Sequence, residues 1–274
     1  MILPSRKYID ADGLNWFVAE MGQGETVLLV HGTAASVHSW RNVMPLLSDQ
    51  YHVVALDLPG HGHTVVSDNT HFTLPRMATG VAAVVEKMKL KPRIVVGHSA
   101  GAAVLAVACA RRLMQPNTYI SFNGAFYPFG GAAGSIFSPV AKLLAFNTFM
   151  PRILSNFATR AKVKKLLEDT GSNLNNEDVE LYLDLFKQPS HISAALGMMA
   201  SWDLRGMDDN FVRLTQDCVF VAGENDKAVP PETADRAAAH CRSAKTMHIN
   251  GFGHLLHEEH PKMAAEIIKG TFNK

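Results

Sequence analysis

The chain reads as an α/β protein: a mostly parallel sheet, helices on both faces, and a helical insertion. Three observations predict this. Short apolar, β-rich runs alternate with helical patterns along most of the 274 residues, which implies parallel strands joined by right-handed crossovers. Residues 124–208 break that alternation and carry helical patterns only. A serine stands at an abrupt strand–turn–helix junction, Gly97-His98-Ser99-Ala100-Gly101.

The elements follow in order. Residues 7–9 and 15–19 flank Asp12-Gly13, a hairpin signature suited to a sheet edge. Residues 27–30, 53–56, 94–96, 119–122, 219–222 and 246–249 are short and largely apolar, as strands buried on both faces are. Helical patterns at 40–47, 74–88, 100–113, 232–240 and 261–269 lie between or after them. Within 124–208 further patterns fall at 140–149, 152–167, 176–186 and 192–204, separated by Pro or Gly. An insertion of that length exceeds a loop and must pack as a helical cap between two strands. Its Phe126, Phe129, Phe137, Phe146, Phe149, Met198 and Met199 suit either an apolar roof over a pocket or ordinary helix packing.

Composition narrows the function classes. Apolar residues make up 47% and charged residues 19%, which fits a globular chain with a large core. Lys+Arg 26 against Asp+Glu 25, with no long run of one sign, argues against nucleic acid as a partner. Cys109, Cys218 and Cys241 have no paired spacing and suit a reducing compartment. Neither a signal peptide nor an apolar run of ~18 residues is evident, so the expected location is cytoplasmic, with no transmembrane segment. Peripheral membrane contact is conceivable for 136–154, but Pro139, Lys142, Pro151 and Arg152 weigh against it. No phosphate-cradling glycine loop is present. His61-Gly62-His63 lacks a partner cluster for a metal, so neither metal nor cofactor is expected.

The serine turn carries the chemistry. A bare G-x-S-x-G arises by chance in roughly one chain in ten of this length, given a Gly frequency of about 7%. Between a buried strand and a Gly-free helical run it is far more specific. There it places a hydroxyl on a strained turn at a helix N-terminus. The serine needs a base, and the base an orienting acid, both beyond the carboxyl ends of strands. His254 follows 246–249 through Asn250-Gly251-Phe252-Gly253, and Asp226 follows 219–222. Glu224 rivals Asp226, while His257 and His260 rival His254. His98 should point away from the hydroxyl, and Asp203 is a remote third acid. The backbone N–H of Ala100 and that of Thr33, in His31-Gly32-Thr33, are the expected oxyanion donors.

With these residues in order, the chain resembles an α/β-hydrolase over nearly its full length: His31-Gly32, Asp57-Leu58-Pro59-Gly60-His61-Gly62, the serine turn, Asp226 and His254. The resemblance implies an eight-stranded sheet, a core of residues 1–123 and 209–274, a cap of 124–208, and a structural role for Asp57. Ser121-Phe122-Asn123-Gly124-Ala125-Phe126, Pro128-Phe129-Gly130-Gly131, Ser138-Pro139-Val140-Ala141-Lys142-Leu143-Leu144 and 198–205 resemble the magnesium-chelatase accessory proteins of bacteriochlorophyll biosynthesis. That implies a role near magnesium insertion into protoporphyrin IX, with the chelatase as a partner, but names no substrate.

Three functions are compatible with these features. One is a serine hydrolase cleaving an ester-type bond in a small apolar or tetrapyrrole-like substrate. Another is a non-catalytic porphyrin-binding or chelatase-assisting protein with an inherited triad. The third is a carbon–carbon bond hydrolase or cofactor-free haloperoxidase-like enzyme. Epoxide hydrolase and dehalogenase chemistry would need a carboxylate where Ser99 stands.

Overall fold

The computed structural model describes residues 4–128 and 149–271. Eight strands form one sheet: β1 (Ser5–Ala11), β2 (Leu14–Met21), β3 (Thr26–Val30), β4 (His52–Leu56), β5 (Pro92–His98), β6 (Thr118–Phe122), β7 (Asp217–Gly223) and β8 (Ala244–Ile249). Their spatial order is β1-β2-β4-β3-β5-β6-β7-β8. The β1–β2 and β2–β4 pairs are antiparallel and the rest parallel. The hairpin turns where expected, with Asp12 at φ 51° and Gly13 at φ 77°, as a type I′ turn demands.

The described helices are α1 (Met44–Leu47), α2 (Leu74–Lys87), α3 (Ala100–Ala110), α4 (Met150–Asn156), α5 (Arg160–Glu168), α6 (Asn176–Phe186), α7 (Pro189–Ser201), α8 (Met207–Val212), α9 (Glu232–His240), α10 (Leu256–Glu259) and α11 (Pro261–Gly270). Alternate residues of the apolar strands enter opposite cores, as a period of two requires. Leu28 and Val95 pack with α2, α3, α8 and α9, whereas Leu29 and Val96 pack with α1, α10 and α11. Every residue of α3 is buried. Its run of alanines lets the helix lie close on the sheet behind Ser99.

Several element boundaries differ from the sequence reading, each for a local reason. The 40–47 pattern is a 3-10 turn (Val37–Trp40) followed by α1, because Pro45 has no N–H for the carbonyl of Arg41. The 152–167 pattern is two helices. Thr159 is extended (φ −123°, ψ 155°) and its side chain caps α5 by accepting from Lys162 N–H. The 100–113 helix stops at Ala110, where Arg112 turns left-handed (φ 56°) and Leu113 N–H reaches back to Ala108 O. The 192–204 pattern is shifted to α7, and α8 has no counterpart among the expected helices. The 140–149 pattern lies outside the described residues except for Phe149. β8 was expected to be buried on both faces but is largely exposed, because the strand order leaves it at the sheet edge.

A small apolar cluster joins the segment between β6 and β7 to the rest. Val163, Leu167, Val179, Tyr182 and Leu183 pack with Ala35 of the β3 loop and Leu255 beside His254. A buried polar cluster reinforces it. Arg41 pairs with Asp178 of α6, and the Tyr182 hydroxyl donates to Glu258 Oε1 at 2.6 Å. Burial pushes the Glu258 carboxyl up to about 8, against the opposing pulls of Tyr182 and Arg41. The unfolded chain releases this proton near 4.5. Its stabilisation is therefore full below that pH and is lost as pH rises toward 8. Glu258→Gln keeps the neutral shape and removes the loss. Thermal unfolding should show the variant gaining on wild type between pH ~5 and ~8, and parallel pH profiles would contradict a buried neutral acid.

Candidate active site

Ser99 occupies the turn from β5 into α3 with φ 50° and ψ −118°, a strained conformation for a residue with a side chain. β6 and the loop after it hold it there: Ser99 N–H donates to Phe122 O at 3.0 Å, and Ala125 N–H donates to Ser99 O at 3.1 Å. The following helix must pass close to β3. A Cβ on Gly101 would sit 2.4 Å from the carbonyl oxygens of Val30 and His31, so only glycine fits. Ser99 is 8% exposed.

The loops after β7 and β8 bring the candidate acid and base together. His254 Nδ1 lies 2.8 Å from Asp226 Oδ2. The other carboxylate oxygen, Oδ1, accepts Ala228 N–H and Val229 N–H, both at 2.8 Å. Asp226 is therefore fixed from two sides, and its Oδ2 faces the imidazole. Glu224, the rival acid, is exposed and outside this network. His260 caps α11 by accepting from Met263 N–H. Asp203 is tied to Arg205 on the surface. His257 is fully buried between Trp40 and His98, with ring centroids 4.3 and 4.4 Å away.

The oxyanion candidates flank the serine turn. Ala100 is the first residue of α3, where backbone N–H groups lack intrahelical partners. Thr33 lies on the loop after β3, and its hydroxyl contacts Met198 Sδ of α7 at 3.4 Å. Two histidines brace that loop. Burial drives His31 down to about 3 and His191 down to about 4, so both are neutral. His31 donates from Nδ1 to Gly32 O at 2.7 Å and accepts Leu58 N–H at Nε2 at 2.9 Å. His191, on α7, donates from Nε2 to Ala34 O and accepts Gly62 N–H at Nδ1. Asp57 accepts Val37 N–H and His63 N–H, which suits the structural role expected of it. Among the described residues no group of His, Cys, Asp and Glu is arranged to hold a metal ion.

Three features of the site were not foreseen in the sequence. Asn123, directly after β6, donates from Nδ2 to Asp226 Oδ2 at 2.7 Å, the oxygen that also faces His254. The strand-end rule that located Asp226 would have flagged this position too. His98, inside the serine turn, has a task of its own. Burial holds it neutral, and its Nε2–H donates to His254 O at 2.9 Å. Finally, the turn between α5 and α6 is wedged between the acid and histidine loops. Thr170 O accepts Lys227 N–H and His254 N–H, and Ser172 Oγ accepts Leu255 N–H.

Gly171 sits at the centre of that wedge with φ +85°, and a Cβ there would fall 1.8 Å from Asn225 O. Gly171→Ala should therefore move both loops. We expect a stability loss of about 1–3 kcal/mol and, from displacement of the imidazole, roughly a hundredfold loss of turnover. Thermal unfolding and steady-state kinetics on the same preparation check this; wild-type kinetics would mean the wedge does not position the loops.

The eight-stranded fold, with its helix-flanked parallel sheet, defines a class. The chain belongs to the alpha/beta hydrolase family, whose model matches residues 27–267. It is 34% identical to the "Magnesium-chelatase 30 kDa subunit" of Rhodobacter capsulatus over 260 residues, covering 94% of this chain and 89% of that one. It is 24% identical to the "Uncharacterized hydrolase YugF" of Bacillus subtilis, covering 97% of each. Solved structures agree in fold. A serine hydrolase of carbazole degradation superposes with a TM-score of 0.80 at 20% identity, covering 98% of this chain and 99% of its own. The epoxide hydrolase CorEH does so with a TM-score of 0.83 at 19% identity, with the same coverages. No helix among the described residues is long and apolar enough to cross a membrane.

Proposed function

We propose that this protein is a serine hydrolase that cleaves an ester-type acyl bond in a largely apolar substrate. The observation that carries the proposal is the Asp226-bound His254, tied through its carbonyl to His98 of the strained Ser99 turn. Ser99 Oγ attacks the carbonyl carbon while His254 takes its proton. His254 then returns that proton to the leaving group, and water hydrolyses the acyl-enzyme by the same relay. Asp226 fixes the imidazole tautomer by accepting from Nδ1, and Asn123 fixes Asp226. The N–H groups of Thr33 and Ala100 hold the oxyanion. In this reading residues 124–208 form the cap, with Met198 and Thr33 where cap meets oxyanion loop. Of the aromatic residues read as a possible roof, Phe129, Phe137 and Phe146 lie outside the described residues. Phe126 is core, packed edge-to-face against Phe211 and Phe220, and Phe149 is largely exposed. Labelling by a fluorophosphonate probe tests the reading. Wild-type protein should react and Ser99→Ala should not; labelling that survives the substitution rejects Ser99 as nucleophile.

A second reading is favoured by the relative named as a magnesium-chelatase subunit. Here the protein assists a chelatase in bacteriochlorophyll biosynthesis, by docking on it or by holding a tetrapyrrole, and the triad is inherited. Ser99→Ala protein that still stimulates chelatase supports this reading, whereas loss of stimulation by the folded variant supports the hydrolase.

A further inference from the structure

We propose that the outer face of α4 and the start of α5 dock on an anionic lipid surface. Helix α4 is inside out. Pro151 and Ser155, one turn apart, are its buried residues. Ile153 lies about 200° around the helix from Pro151, and Phe149 and Phe157 continue its stripe one turn to either side. Phe149 is 69% and Phe157 63% exposed, with Ile153, Leu154 and, on α5, Leu166 also exposed. The apolar stripe of a helix normally faces the core. An outward one, with several large side chains together, marks an interaction surface.

The charge around the stripe selects the occupant. Residues 149–167 contain Arg152, Arg160, Lys162, Lys164 and Lys165 and no acidic residue, in a chain whose net charge is +1. Glu180, Glu168 and Asp169 pair with Arg160, Lys164 and Lys165. Arg152 and Lys162 have no salt bridge among the described residues, and the Lys162 ammonium lies 5.2 Å from the centre of the Phe157 ring. Exposed aromatic and aliphatic side chains flanked by uncompensated cations fit the interface of a bilayer rich in acidic headgroups. Pro151 and Arg152, which in the sequence weighed against membrane contact, do not oppose it. Pro151 sits in the first turn of α4, where proline costs nothing, and Arg152 supplies charge.

Co-sedimentation with vesicles tests this without reference to catalysis. Wild-type protein should pellet with phosphatidylglycerol vesicles and stay in solution with phosphatidylcholine vesicles. Binding should fall about tenfold or more when salt is raised to ~0.5 M, because exposed charges are then screened. Phe157→Asp should weaken binding by a similar factor, as should Arg152→Glu with Lys162→Glu, with thermal unfolding unchanged because these side chains are exposed. Equal binding to both lipids, equal binding by Phe157→Asp and wild type, or no binding to either vesicle overturns the proposal; the last result would leave the face to a protein partner.

Discussion

Ser99→Ala should abolish turnover and probe labelling while leaving the fold intact. The expected drop in kcat is on the order of 10^4-fold or more, because in the proposed mechanism Ser99 is the nucleophile and its removal disables the whole relay. What remains is the modest rate supplied by the oxyanion donors and by binding. Stability should move little or rise slightly. The φ of +50° at Ser99 is strained for any side chain, and alanine tolerates it no better, so the strain is conserved. The exchange removes only one hydroxyl from a residue that is 8% exposed. Ester hydrolysis measured beside the melting temperature separates the two effects. A variant with wild-type turnover would refute the nucleophile, and one that melts far below wild type would mean the hydroxyl is structural.

Asp226→Asn should be nearly as damaging, by a different route. The carboxylate accepts from His254 Nδ1, Asn123 Nδ2, and the N–H groups of Ala228 and Val229. All of these are donors. An amide has one acceptor oxygen and an NH2, so at least one side would place donor against donor. If the oxygen stays on Ala228 and Val229, the NH2 meets His254 and Asn123. The imidazole must then present its lone pair at Nδ1 and its proton at Nε2, the wrong tautomer for a base. A loss on the order of 10^4-fold in kcat is expected, with a smaller stability cost of about 1–3 kcal/mol for the donors left unpaired. Activity within tenfold of wild type would mean that Asp226 does not set the tautomer.

The strands and the serine turn were legible because they are local. A β-branched run, a glycine that lets a helix approach, and a polar residue at the end of a strand each leave a mark within a few positions. Choosing His254 over His257 and Asp226 over Glu224 needed only the distance from a strand end, and the structure brings the chosen pair together. The contacts that hold this pair were not legible. Asn123 and Asp226 are 103 residues apart, and the Thr170–Ser172 turn belongs to a segment that reads only as helices. No periodicity records which loop will lie beside which.

The sequence by itself determined the alternating strands and helices, the strained turn at Ser99, and the chain order of serine, acid and base, since each follows from neighbours along the backbone. Only the tertiary structure decided that β8 lies exposed at an edge, that His98 and Asn123 bond to His254 and Asp226, and that α4 turns its apolar stripe outward. Those outcomes depend on which surfaces meet, and burial is a property of the assembled layers rather than of any one segment.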